Sequence, residues 1–324
     1  MMLENINIPK GSKFLITGGA GFIGSNLIEA VSHLGYEVKV LDDYSNGLRS
    51  NINNLKELYD FEMIEGSITD LKTCKEATKG VDYVLHQAAW GSVPRSVKMP
   101  LTYDTINVHG TLNLMQAAVE NDVKKFVYAS SSSVYGDNFS LPKYEGQEGN
   151  PLSPYAITKK VNEIYAKNFF DLYGLETVGL RYFNVFGRRQ NPHSTYAAVI
   201  PVFVKMLLDN QAPTINGNGN QTRDFTYIDN VIQANLKACI AGKEASGEAF
   251  NIAYGKNISL NELYSYITEL LGKEIAPNYG PTRVGDIPHS LADISKATKY
   301  LDYLPQIDVD KGLRLTMDWY ISNL

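Results

Sequence analysis

Tyr155 and Lys159 lie four residues apart in Tyr155-Ala156-Ile157-Thr158-Lys159, directly after Pro151-Leu152-Ser153-Pro154. At a helix start this spacing puts phenol and ammonium on one face. A free tyrosine titrates near pH ~10, and a cation held beside it lowers that value by favouring the charged form. A phenolate at neutral pH is a general base that can take a proton from a hydroxyl. Alone the pattern is weak, because tyrosine and lysine at this spacing more often share a solvated helix face. Three hydroxyls, Ser131-Ser132-Ser133, stand upstream after a β-rich run.

Gly18-Gly19-Ala20-Gly21-Phe22-Ile23-Gly24 follows the apolar run Phe14-Leu15-Ile16-Thr17 and opens a helical stretch. Glycines at 18, 21 and 24 make a turn without side chains, on which a pyrophosphate can approach the first amides of a helix. A glycine-rich turn by itself is ambiguous. Asp42, 18 residues beyond Gly24, ends the next β-rich run, where a carboxylate bonds the adenosine ribose hydroxyls. Asp42 and Asp43 together repel a 2′-phosphate and no arginine follows immediately, so NAD is favoured over NADP. With a nicotinamide cation also lowering the phenol, a Tyr155 phenolate can take a hydroxyl proton as hydride leaves for NAD.

These residues need a scaffold that brings them to one edge. Runs at 14–17, 38–41, 61–64, 83–86, 126–129 and 177–180 alternate with helical stretches at 22–34, 71–78, 101–120 and 155–173. The alternation predicts an α/β fold, a doubly wound parallel (Rossmann) sheet with right-handed crossovers and helices on both faces. Ligands of such sheets sit at the carboxyl ends of the strands. Beyond Arg181 the segments are shorter and turn-rich, as in Asn216-Gly217-Asn218-Gly219-Asn220, with helices expected at 196–209, 228–240 and 260–271. A chain of 324 residues suits about two domains of ~150. We expect residues 1–181 to carry the sheet, completed by parts of 224–252 near Phe225 and Phe250, and residues 182–324 to form a smaller α/β unit packed on it.

Hydrophobic residues make up 44% and charged residues 20% of the chain, which excludes disordered classes. A net charge of -5 gives no general pull toward nucleic acid or an anionic membrane. No run of about 18 apolar residues and no apolar leader occurs, so a soluble cytoplasmic protein is expected. Cys74 and Cys239 have no metal or redox spacing and read as buried thiols of a reducing compartment. His33, His86, His109, His193 and His289 lack metal spacing, so no metal is expected, and His86 reads as a packed strand residue.

With these motifs in place, the chain resembles the extended short-chain dehydrogenase/reductase family, in particular nucleotide-sugar 4-epimerases, over nearly its whole length. The likeness rests on TGGAGFIG (17–24), LDDYSNG (41–47), LHQAA (85–89), SSSVYGD (131–137), SPYAITK (153–159), LRYFNVFG (180–187) and RDFTYIDN (223–230). GSVPRS (91–96), FGRRQ (186–190) and HSLADISK (289–296) resemble the bacterial subgroup acting on UDP-N-acetylglucosamine and its uronic acid in polysaccharide biosynthesis.

The resemblance implies that Ser131, Tyr155 and Lys159 are catalytic, Ser131 bridging the sugar 4-hydroxyl and Tyr155, and Lys159 bonding the nicotinamide ribose. It places Gly18, Gly21, Phe22, Ile23, Gly24, Asp42, Asn46, Gly47, Ile68, Gln87, Ala88, Asn107, Tyr182 and Val185 on NAD. It places Asn184, Ala198, Val199, Gly217, Arg223 and Arg283 on UDP, the arginines meeting the diphosphate with forked bonds. Ser92, Gln190 and Ser290 fall near the hexose, and Ser132 and Ser133 shape the acetamido and ring contacts. The stretches 101–120 and 155–173 are expected to pair with a partner's into the four-helix bundle of a homodimer.

Three positions depart from the family pattern. Ser67 stands for the usual Asp at the adenine amine, Trp90 for a smaller aliphatic beside the sugar, and Pro288 for a basic residue. The expected reaction is 4-epimerisation through a transient 4-keto sugar, with NAD regenerated each turn. UDP-glucose/galactose 4-epimerisation is the nearest alternative. A nucleotide-sugar 4,6-dehydratase or decarboxylase carries carboxylates just before Val134-Tyr135; here those positions are Ser132 and Ser133, which serve poorly as acid or base.

Overall fold

The computed structural model describes residues 6–191, 198–282 and 288–324. Its first half alternates strand and helix: β1 (Lys13–Thr17), α1 (Phe22–His33), β2 (Glu37–Asp42), α2 (Arg49–Lys56), β3 (Glu62–Glu65), α3 (Leu71–Thr78) and β4 (Tyr83–His86). There follow α4 (Val93–Lys98), α5 (Pro100–Tyr103), a π-helical stretch Asp104–His109, α6 (Gly110–Glu120), β5 (Lys125–Ser131), a 3-10 turn Ser132–Tyr135, α7 (Pro154–Tyr173) and β6 (Thr177–Tyr182). The remainder holds β7 (Val185–Phe186), α8 (Val199–Leu208), β8 (Thr214–Asn216), β9 (Thr222–Arg223), β10 (Thr226–Tyr227), α9 (Ile228–Ile240) and β11 (Glu248–Ile252). It ends with β12 (Ile258–Ser259), α10 (Leu260–Leu271), β13 (Asn278–Gly280), α11 (Ser295–Leu301) and α12 (Val309–Asn323).

Seven strands form one sheet in the order β11-β6-β5-β4-β1-β2-β3, and every pairing in it is parallel. Side chains alternate across the sheet, as strand geometry requires. Phe14 and Ile16 join one buried cluster that runs into the C-terminal elements, whereas Leu15 joins another with Val84, Phe126, Leu114, Met115 and Phe169. Both faces are therefore covered, and the sheet is doubly wound. Winding reverses between β1 and β4, opening a crevice at their carboxyl ends.

Several expectations are corrected. The stretch 101–120 is helical as expected, but it is not regular: α5 runs into α6 without a break through the π-helical turn. Within that turn Asn107 is buried and its side-chain amide bonds both polar atoms of the Trp90 backbone and Thr158 Oγ1. The expected strand 126–129 runs on to Ser131. Phe225 does not return to the main sheet: β10 pairs with β7 instead, and β11 takes the free edge of β6. α2 had no expectation, because it is almost wholly polar and only Ile52 and Leu55 anchor it as apolar residues.

Cys74 and Cys239 are free and buried. His86 is buried, its ring nitrogens within 2.7 Å of Thr17 Oγ1 and 2.9 Å of Thr111 Oγ1, and burial drives its pKa down to about 3. Among the described residues no helix is long and apolar enough to cross a membrane.

Candidate active site

The turn between β1 and α1 is built for close approach. Gly18 has φ +70°, and a Cβ there would stand 2.7 Å from the Ala88 amide nitrogen, so only glycine lets this turn rest against the end of β4. A Cβ on Gly24 would lie 2.1 Å from the Gly18 carbonyl oxygen, which sets how closely α1 packs on the turn. No side chain caps α1, so its first amides, which have no partner within the helix, are open to an anion. Phe22 and Ile23 turn their side chains into the core; what they can offer a ligand is backbone.

Gly18, Gly21, Asp42, Asn46, Gly47, Ile68, Gln87 and Ala88 line one groove at the switch point, together with Trp90. The Asp42 carboxylate accepts the Ala20 amide at 2.9 Å and the Tyr44 amide at 2.7 Å. Burial raises its pKa and these two bonds oppose the rise. The carboxylate is thereby held facing the groove with lone pairs left for hydroxyl donors. A glycine cradle that a Cβ would fill, uncapped amides and an oriented carboxylate fit NAD. Asn107 and Tyr182, also expected on the cofactor, spend their polar groups inside the protein: Asn107 on Trp90 and Thr158, Tyr182 on Gln87 and Asn235.

The catalytic candidates meet beside this groove. Ser153 caps α7 by accepting the Ala156 amide, with Pro154 at the first position; cap and proline start the helix so that Tyr155 and Lys159 share a face. Tyr155 is half-buried, with Ser131 at the end of β5 close enough to its phenol to act on it. Burial pushes the phenol up, the Ser131 hydroxyl pulls it down, and the Tyr103 phenol raises it again. Lys159 Nζ donates to the Ala129 carbonyl at 2.8 Å and stands 5.9 Å from the centre of the Tyr155 ring. Burial alone lowers the lysine to about 8. Ser131 Oγ accepts the Ser133 amide at 3.2 Å, and Ser133 Oγ is buried with no partner among the described residues.

A second cavity, of about 340 Å³, lies beyond β6 and is lined by Asn184, Val185, Gln190, Ala198, Val199 and Arg223, among others. Val185, expected on the cofactor, thus faces this space. Gly217 and Ser290 are not on its wall; Gly217 donates to Gly280 O at 2.8 Å and Ser290 to Thr222 O at 3.1 Å, both through the backbone. Ser92 caps α4 by accepting the Arg95 amide. Arg283 lies outside the described residues. Gln87 follows β4, Ser131 ends β5 and Asn184 follows β6, so these neighbouring strands carry the groove, the Tyr155–Ser131 pair and the cavity side by side.

Residues without an expectation complete the surroundings. Phe186, Phe203, Ile215, Phe225 and Leu260 give the cavity apolar walls, drawn from elements whose proximity no spacing reveals. Asp224, inside the motif RDFTYIDN, accepts the amides of Tyr254, Gly255 and Ala292. Burial drives its pKa up to about 7 against those bonds, and the carboxyl ties three separate segments together next to Arg223. Below the serines, Arg181 pairs with Glu163 at 2.7 Å and with Glu148, and donates to Tyr135 Oη at 3.1 Å.

The sequence model described as the NAD dependent epimerase/dehydratase family matches residues 14–253. A putative UDP-glucose 4-epimerase of Methanocaldococcus jannaschii is 39% identical over 95% of this chain and 98% of its own length. A UDP-glucuronate 4-epimerase of Thermodesulfobacterium geofontis is 34% identical over 96% and 97%. The solved UDP-N-acetylglucosamine 4-epimerase of Methanobrevibacter ruminantium, in complex with UDP-N-acetylmuramic acid, superposes with a TM-score of 0.92 at 39% identity, covering 97% of this chain and 100% of that one. Sheet order, glycine cradle and the match over most of its length agree: the chain belongs to the NAD dependent epimerase/dehydratase family.

Proposed function

We propose that this protein is a UDP-sugar 4-epimerase that works with NAD and prefers UDP-N-acetylhexosamines, either UDP-N-acetylglucosamine and UDP-N-acetylgalactosamine or their uronic acids. The observation that carries the reading is Tyr155 placed with Ser131 beside its phenol and a buried lysine on the same helix face, next to a groove lined by the glycine turn and Asp42 and near a separate cavity. Tyr155 accepts the proton of the sugar 4-hydroxyl, with Ser131 bridging the two, and later returns a proton to the same oxygen. Lys159 holds positive charge near the phenol. The chemistry supplied by a bound NAD is reversible oxidation at carbon 4. Between the two proton transfers the sugar is a 4-ketone and must present its other face. Asn184, Ala198, Val199 and Arg223, which line the cavity, would therefore hold UDP, while Ser132 and Ser133 border a hexose free to turn.

The acetamide preference is supported by Ser133 Oγ, buried with no partner among the described residues. Such an atom costs about 1–3 kcal/mol unless a ligand pairs with it, and a 2-acetamido group brings both a donor and an acceptor. Relatives named for UDP-glucose and UDP-glucuronate keep those sugars as the second reading. Ile157, Ile164 and Leu172 are exposed on α7 at helical spacing, which supports a homodimer through that helix; a monomer mass on sedimentation would remove it.

Proton NMR of the protein with UDP-N-acetylglucosamine, its uronic acid and UDP-glucose tests the substrate. At least roughly tenfold higher specificity for an acetylated sugar is expected. Tyr155→Phe should lose about 10²–10⁴-fold in turnover. Equal efficiency on UDP-glucose would remove the acetamide preference alone; no turnover of any UDP-sugar would remove the epimerase.

A further inference from the structure

The groove has two walls, residues 43–47 after β2 and residues 87–90 after β4. β2 and β4 are not neighbours, since β1 lies between them, yet side chains join the walls across the gap. The Trp90 indole N–H points to Ser45 Oγ at a long 3.4 Å. Arg95, on α4, donates to Asn46 Oδ1 from both terminal nitrogens at 3.4 and 3.3 Å. The same guanidinium lies over the Trp90 ring, 4.2 Å from its centroid, and its Nε donates to Tyr103 Oη at 3.2 Å. The Trp90 backbone is pinned on both sides by Asn107, at 2.9 and 3.1 Å.

We propose that Trp90 and Arg95 form a strap across the groove that slows release of a dinucleotide held beneath it. This rests on the reading of the groove as the NAD site. A ligand between the two walls leaves once residues 43–47 and 87–95 part, and parting them breaks the indole and guanidinium contacts together. Each contact is weak and partly solvated, so the strap opens without unfolding either wall and acts on the rate of release. A redox-neutral cycle gains from slow release, because one NAD serves many turnovers.

The test follows the fluorescence of NADH bound to the purified protein after mixing with excess NAD. Trp90→Ala and Arg95→Gln should each release NADH roughly tenfold faster, and the double variant little faster than either, because one strap is cut. Arg49→Gln, which removes an exposed pairing with Glu65 after the same loop, should leave the rate unchanged. Both strap side chains are half-exposed, and unchanged thermal melting confirms that the variants keep the fold. Slow release from the wild type and from both variants would overturn the strap and leave the NAD reading standing. A wild type that does not hold NADH would overturn both.

Discussion

Two cations packed against the same face of the sheet are handled in opposite ways. Lys159 and Arg181 are 4% and 3% exposed. Among the described residues Lys159 is hydrogen-bonded to a backbone carbonyl and to no carboxylate, and burial brings it down to about 8. Arg181 is also penalised by burial, but Glu163 and Glu148 overcome that penalty and push it up. Glu148 in turn, although burial works against it, is brought down to about 2, chiefly by the Arg181 charge. Burying an uncompensated charge costs stability, and a fold keeps such a group where its chemistry is used. The paired arginine braces Tyr135, and so the floor of the 131–135 turn; the unpaired lysine stands behind the reactive phenol. The contrast separates a scaffold ion from a working one.

The largest effect is expected at the scaffold ion. Arg181→Met leaves Glu163 and Glu148 without their main cation, and breaking a buried pair from one side costs about 3–5 kcal/mol; denaturant unfolding measures it. A loss below about 1 kcal/mol would end the distinction.

Lys159→Met should move stability the other way. Removing an unpaired buried charge should hold the unfolding free energy level or raise it by roughly 1–3 kcal/mol at pH 7, while turnover falls at least ~10²-fold. If turnover survives, the lysine is not working on the phenol.

The smallest effect is a pH dependence. The lysine titrates at about 8 in the fold against its ordinary 10.5. Below pH 8 it is charged in both folded and unfolded chains, and the full burial penalty is present. Between 8 and 10.5 the unfolded chain binds more protons, so this group's contribution to stability rises with pH. The stability gap between wild type and Lys159→Met should therefore close across that window, whereas the gap for Arg181→Met should stay flat, because the guanidinium does not titrate there.

What the amino-acid sequence determined by itself was local. Apolar runs of strand length alternate with 3.6-period stretches, so the parallel sheet was legible, and α3, α9 and α10 begin and end where their patterns do. Gly18, Gly21 and Gly24 announce a turn that admits no Cβ, and Ser153-Pro154 announces the helix start that aligns Tyr155 with Lys159. Tertiary structure decided what depends on partners distant in the chain. Of the two places expected to return to the sheet, Phe250 does and Phe225 does not, because a single strand can occupy the edge of β6 and β11 occupies it. The helix expected through 101–120 forms, but its π-helical turn at 104–109, where Asn107 bonds Trp90 and Thr158, depends on partners that no spacing reveals. Arg181, Glu163 and Glu148 come from a strand, a helix and a loop, and Trp90 and Arg95 reach Ser45 and Asn46 across an intervening strand. Spacing along a chain reports only what one element aligns; which elements face each other is set by how the core closes.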